Sequence, residues 1–147
     1  LDLLMNGNDY GTEVSVGRYD ALNGLLLKGN GKGQFAPLSI LESGIFIPGN
    51  GKALVKIRGA KGQYLMAASQ NRGPLKIYTL KKPTLLLPVQ PNDASAIIEY
   101  ANGKKRKEEF YYGNSFLSQS ARFVSYNEKV KLITIIDQKG QTRKNNY

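Results

Sequence analysis

Ala96-Ile97-Ile98-Glu99-Tyr100-Ala101-Asn102-Gly103-Lys104-Lys105-Arg106-Lys107-Glu108-Glu109-Phe110-Tyr111-Tyr112 reads as two strands joined by a two-residue turn. Asn-Gly between β-forming runs is the strongest short hairpin signal, because the turns that match the twist of paired strands need positive φ at their centre. Isoleucines and aromatics on both sides want a pleated, half-buried surface. The second strand opens on the densest basic run of the chain, Lys104-Lys105-Arg106-Lys107. Beside Tyr111 and Tyr112, that run could offer phosphate contacts and stacking surface for bases. In a strand, however, its side chains alternate between faces, and Glu108-Glu109 offset them. A solvated sheet edge is therefore the plainer reading, and nucleic acid the lesser one.

Toward the C-terminus the hairpin runs into Phe110-Tyr111-Tyr112-Gly113-Asn114-Ser115-Phe116-Leu117-Ser118-Gln119-Ser120-Ala121-Arg122. Gly113-Asn114 signals a turn or bulge, and three hydrogen-bonding side chains follow between Leu117 and Phe123, as in a loop with polar work to do. Phe123-Val124-Ser125-Tyr126 is a short strand. Val130 to Ile136 alternates and then becomes continuously apolar, the pattern of a central strand. Gln138-Lys139-Gly140-Gln141 turns the chain into Thr142-Arg143-Lys144, an edge strand whose cations discourage edge-to-edge pairing.

Toward the N-terminus, Pro83, Pro88 and Pro91 lie within nine residues, which excludes a central strand there and places a boundary between 1–83 and 84–147. Ahead of it, 53–58, 64–69 and 75–80 are separated by glycine-containing turns and read as a three-stranded antiparallel meander. Ile45-Phe46-Ile47, stopped by Pro48-Gly49-Asn50-Gly51, is a brief strand or an anchored loop. Leu25-Leu26-Leu27-Lys28 and Gln34-Phe35 flank a glycine-rich hairpin turn. Leu3 to Met5 is a strand ending in a turn cluster, and its likeness to Leu65-Met66 suggests a degenerate repeat at ~60 residues. The fold class is all-β: antiparallel, propeller-blade-like meanders followed by a small sandwich- or barrel-like β domain.

Composition narrows the chemistry. With no Cys and no His in 147 residues, there is no disulfide framework, no Ser-His or Cys-His nucleophile pair and no ordinary zinc site. Lys and Arg number 21 against 11 acids, a net +10, which fits a polyanion partner or simple solubility. Apolar runs fall far short of the ~20 residues of a membrane-spanning helix. Leu1 to Met5 is already strand-like and carries no signal-peptide pattern, so the chain is expected to begin mid-fold, as a fragment of a longer protein.

Glu108 and Glu109 are adjacent, hence on opposite faces, and cannot flank one glycosidic bond. Asp9, Glu13 and Asp20 surround one loop, but their spacing is not that of an EF-hand and Arg18 sits among them. Without His, Ser118 or Ser120 would need a lysine base, and no Ser-x-x-Lys spacing occurs there; hydrogen bonds to nearby backbone account for Ser118, Gln119 and Ser120. Tyr100, Phe110 and Tyr112 are read as core or sheet-face aromatics. No catalytic residue, no metal ligand and no cofactor is assigned.

Two family resemblances follow from quoted residues. Gly113, then Leu117-Ser118-Gln119-Ser120 and Arg122, resembles the signature of the ASPIC/UnbV domain, over about 86–143. Leu-Asp-Leu-Leu at 1–4, Asn-Gly-Leu-Leu-Leu at 23–27 and Gly-Asn-Gly-Lys-Gly-Gln-Phe at 29–35 are similar to the last part of an FG-GAP (VCBS) repeat, over 1 to about 80. In that family an aspartate-rich calcium loop precedes the first strand, so calcium would belong to repeats upstream of Leu1. Lys32 stands where the family often has an acid. The resemblance implies a non-enzymatic, exported protein, secreted, periplasmic or at the cell surface, whose propeller is a scaffold for a protein or glycan ligand.

Overall fold

The computed structural model describes residues 2–113 and 118–147. It is all-β: among the described residues there are twelve strands and a single four-residue helix, with every registered strand pair antiparallel. Among the described residues no helix is long and apolar enough to cross a bilayer. The chain forms two compact units, one made chiefly of Leu1–Val55 and Met66–Tyr78, the other of Lys56–Leu65, Thr79–Asn114 and Gln119–Tyr147.

In the first unit, β1 (Leu3–Met5), β2 (Leu25–Gly29) and β3 (Phe35–Leu38) form one sheet in chain order. Leu4 faces Leu26 and Leu26 faces Leu38. The β2–β3 turn is closed by the Asn30 amide to the Gln34 carbonyl at 3.0 Å, and the Asn30 side chain accepts from Lys32 N at 2.8 Å. A one-turn helix, α1 (Ile40–Ser43), follows with a Ser39–Glu42 capping box. Ile45 to Ile47 is an anchored loop, not a strand: Ile45 and Ile47 are buried, and Phe46 between them points outward.

β4 (Gly51–Arg58), β5 (Tyr64–Gln70) and β6 (Lys76–Thr79) form the expected meander. Ile45, Ile47 and Ala68 make the core of this unit, with Leu4, Leu54, Met66 and Tyr78 packed on it, so both sheets share one interior. Gly24 makes that close approach feasible, since a Cβ there would lie 2.8 Å from Ile45 Cγ2. The repeat suspected near 60 residues does not equate like with like, because β1 lies at the edge of its sheet among the described residues and β5 lies in the middle of its own.

The second unit contains β7 (Leu85–Pro88), β8 (Asp93–Tyr100), β9 (Lys105–Glu109), β10 (Phe123–Tyr126), β11 (Val130–Asp137) and β12 (Thr142–Asn146). Their order is β12-β11-β8-β9 in one sheet and β10-β7 in another. As its apolar run requires, β11 is central, and β12 is an edge. Ala96, Ile98, Ile133 and Ile135 from the larger sheet meet Val124 from the smaller one, with Leu87 and Tyr126 packed against them. Each fully buried Ile or Val contributes roughly 1.5–3 kcal/mol over its exposed state.

Candidate functional site

The basic hairpin is built by its turn. Tyr100 N donates to the Lys104 carbonyl at 2.9 Å, Lys104 N donates to Asn102 Oδ1 at 3.1 Å, and Gly103 adopts φ 80°. Register then assigns faces: Arg106 lies opposite Ile98 and Glu108 opposite Ala96, both partners fully buried, while Lys105 lies opposite Glu99 and Lys107 opposite Ile97. Arg106 and Glu108 therefore sit on the core-side face at the rim of the sheet. Lys105, Lys107 and Glu109 are on the other face.

Three of the four cations have a carboxylate partner. Lys105 pairs with Glu99 at 3.2 Å, Arg106 with Glu108 at 3.2 Å and Lys107 with Glu109 at 2.8 Å. Glu108 also receives Lys56 at 3.3 Å, and Arg106 donates to the Ser125 carbonyl at 3.1 Å. Such exposed pairs add little stability, but they neutralise the charge a phosphate would seek. Lys104, in the turn, makes no ion pair among the described residues.

Tyr111 and Tyr112 are both exposed, and the Arg122 guanidinium lies 4.2 Å from the Tyr112 ring centroid, covering one face of it. Arg122 also donates to Tyr112 Oη at 2.5 Å, to the Pro91 carbonyl at 3.0 Å, to the Gln90 carbonyl at 3.4 Å and to the Asp93 carbonyl. Tyr112 Oη in turn donates to Pro91 O at 3.2 Å. Arg122 is thus a strut holding 90–93 against the aromatic end of the hairpin. Phe110 and Tyr100 pack on the core as sheet-face aromatics, whereas Tyr112 does not.

Gly113, at φ 64°, donates to Gln119 Oε1, and Gln119 Nε2 donates to the Ser120 carbonyl at 2.9 Å. Ser120 is buried, and its Oγ accepts from Lys56 N at 3.1 Å, a partner distant in sequence. Ser118 Oγ is buried without a hydrogen-bond partner among the described residues. Leu117 and Asn114 lie outside the described residues.

Two of the three loop acids, Asp9 and Asp20, are occupied by neighbours. Asp9 accepts from Gly11 N and pairs with Lys52 at 3.2 Å, which hold its carboxyl below the usual range. Asp20 is likewise lowered, by the Tyr10 hydroxyl first and Arg18 second, and the same bond raises the Tyr10 phenol. Among the described residues no three acidic side chains gather as a metal site requires. Tyr64, edge-on to Phe123 at 5.5 Å, is raised by burial and by Glu108.

Compared with protein-family models, curated proteins and solved structures, the chain matches none.

Two further constellations join residues far apart in sequence. Asp93, with its side chain 3% exposed, receives Arg143 at 2.8 Å and Gln90 N at 2.7 Å. In the first unit, Tyr10, Asn50, Gln70, Asn71 and Arg72 line a cavity of about 370 Å³. The signal in the first case is an acid inside an apolar strand start. In the second it is a pair of turns dense in Asn, Gln and Gly, which local reading treats as loop chemistry alone.

Proposed function

We propose that the chain is a non-catalytic interaction or adhesion module of an exported protein, secreted, periplasmic or cell-surface, and forms the closing part of an FG-GAP/VCBS-type repeat protein. On this reading 1–83 ends a propeller, 84–147 is the ASPIC/UnbV-like domain, and calcium belongs to upstream repeats. The observation that carries it is the first unit's construction, in which two antiparallel three-stranded meanders share one core through Ile45, Ile47 and Ala68, as neighbouring blades would. The strut role of Arg122 adds support, because the residue of the family signature is spent on backbone carbonyls and a tyrosine. The partner is a surface protein or glycan. Purified chain tested on arrays of surface glycans and proteins should show saturable capture without turnover. Turnover of a hydrolase or transferase substrate, abolished by one point substitution, would refute the reading.

A polyanion-binding alternative is favoured by the net +10 and by Lys104, which makes no ion pair among the described residues. Phosphate contacts release counterions, so RNA, DNA or heparin affinity should fall steeply with salt and be lost when Lys104, Lys105, Arg106 and Lys107 are neutralised together. Salt-insensitive or absent binding removes this alternative.

A further inference from the structure

We infer that Tyr126 and Tyr147 are the site of an oxidative modification, an intramolecular dityrosine link made by a peroxidase with hydrogen peroxide, which fastens the segment after β12 to β10. Their rings meet at a centroid distance of 4.4 Å and a tilt of 47°. Of the nine tyrosines, all among the described residues, no other two stand in ring contact. Both members of the pair belong to the second unit. Tyr126 closes β10 of the smaller sheet and packs against the core, and Tyr147 follows β12 of the larger one. Tyr147 N donates to the Lys131 carbonyl at 3.1 Å, next to the Leu132–Asn146 pair of the ladder. Backbone pairing on one side and core packing on the other thus hold the two rings together, as a coupling reaction needs.

Composition selects the chemistry. With no Cys and no Trp, tyrosine is the side chain that a one-electron oxidant reaches in this chain. Tyr147 is 49% exposed and open to such an oxidant, with half-buried Tyr126 beside it. Burial, and then a hydrogen bond with the Tyr126 hydroxyl, raise the Tyr147 phenol. With the hydroxyls in contact, the ring carbons next to each oxygen are neighbours. Those Cε carbons carry unpaired electron density in a phenoxyl radical, and two such radicals couple through them. Hydrogen peroxide, acting through the peroxidase, takes one electron and one proton from each phenol and leaves as two waters. The radicals join in a Cε–Cε bond, and the hydrogen each of those carbons carried moves to its own ring's oxygen, which restores both phenols.

The product is a covalent tie between the two sheets of this unit, in a chain without a cysteine for a disulfide. Closing 126 to 147 constrains the unfolded chain as a disulfide over a similar loop would, whatever the chain binds.

Dilute full chain treated with a haem peroxidase and limiting hydrogen peroxide tests this. Dityrosine fluorescence should appear in the monomer fraction on size exclusion. Trypsin, cutting after Arg122, Lys129 and Lys144, should release 123–129 joined to 145–147. Tyr126→Phe and Tyr147→Phe should each lower the monomer signal about tenfold or more, while Tyr19→Phe, at an exposed tyrosine without a ring partner, leaves it unchanged. The linked monomer should unfold at a higher urea concentration than the untreated chain. Circular dichroism checks that each variant is folded; should one phenylalanine variant not fold, the other and the joined peptides decide. Absence of the joined peptides, dityrosine confined to dimers, a monomer signal that survives in folded Tyr147→Phe, or an unchanged urea midpoint would overturn the inference.

Discussion

Asp93 is the polar centre of the second unit, and its pairing with Arg143 can be worked through. The carboxylate is 3% exposed and meets Arg143 Nη2 at 2.8 Å, with Nη1 at 3.4 Å from the other oxygen. It also accepts Gln90 N at 2.7 Å, while its own carbonyl receives Arg122. Arg143→Met leaves a buried carboxylate with one backbone N–H. Breaking such a pair costs about 3–5 kcal/mol, and because the Arg143 side chain is 40% exposed the lower end, about 3 kcal/mol, is expected. Asp93→Asn keeps an acceptor for Gln90 and loses the charge, at about 2 kcal/mol. The pair combined should cost about 3 kcal/mol and not the sum, a coupling near 2 kcal/mol. Urea unfolding reads this directly: with a slope near 2 kcal/mol/M, Arg143→Met moves the midpoint down by about 1.5 M. Native-state amide exchange at Ile133 and Ile135 assigns the loss to the second unit. Single losses below ~1 kcal/mol that simply add would show that solvent already screens the pair.

Arg122→Met removes donors to the Gln90, Pro91 and Asp93 carbonyls and to Tyr112 and should cost about 2 kcal/mol by urea unfolding. Arg122→Lys should recover less than half of that, since a point charge cannot serve the same fork; full recovery would show that charge alone matters. Gly24→Ala combines φ 87° with a Cβ 2.8 Å from Ile45 and should cost about 2–4 kcal/mol. Gly31→Ala, at φ 79° with nothing within 4 Å, should cost only about 1 kcal/mol; equal losses would refute the packing argument. The Tyr147 phenol is pushed up to about 12 by burial and by Tyr126. A raised phenol stabilises the folded state below the unfolded value near 10, and that contribution disappears as pH rises through about 12. Tyr147→Phe should flatten the alkaline loss between those values, and an unchanged pH–stability curve would exclude Tyr147 as its source.

The strands were legible because their signals are local and mutually consistent. Asn102-Gly103 and its flanks give β8 and β9, and the apolar run at 130–136 gives the central strand of the larger sheet. What remained hidden depends on register. Arg106 and Lys107 look alike in a basic run, yet one faces the core-side rim and the other the open face, decided by whether Ile98 or Ile97 stands opposite. Asp93 follows the proline-rich boundary directly, and nothing within nine residues of it is basic; its partner arrives from β12, fifty residues on. Ser120 similarly accepts from Lys56 N, sixty-four residues away in sequence.

The five Asn-Gly pairs, at 6, 23, 30, 50 and 102, show how far a local signal reaches. Those at 30 and 102 turn hairpins, because the runs beside them can pair with each other, and their Asn side chains accept from Lys32 N and Lys104 N. The pair at 6 instead ties the end of β1 to the start of β4, through Asn6 Nδ2 to the Ala53 carbonyl at 3.3 Å and Gly51 N to the Gly7 carbonyl at 3.1 Å. At 23 the Asn carbonyl anchors Ile47 N at 2.8 Å, and the glycine admits the Ile45 side chain. Asn50 has the same neighbour, but its Oδ1 is buried with no partner among the described residues. One dipeptide thus supplies a reversal, a splice, an anchor and an unspent amide. The dipeptide supplies the turn, and the segment packed beside it decides whether that turn reverses a hairpin, ties β1 to β4 or anchors Ile47.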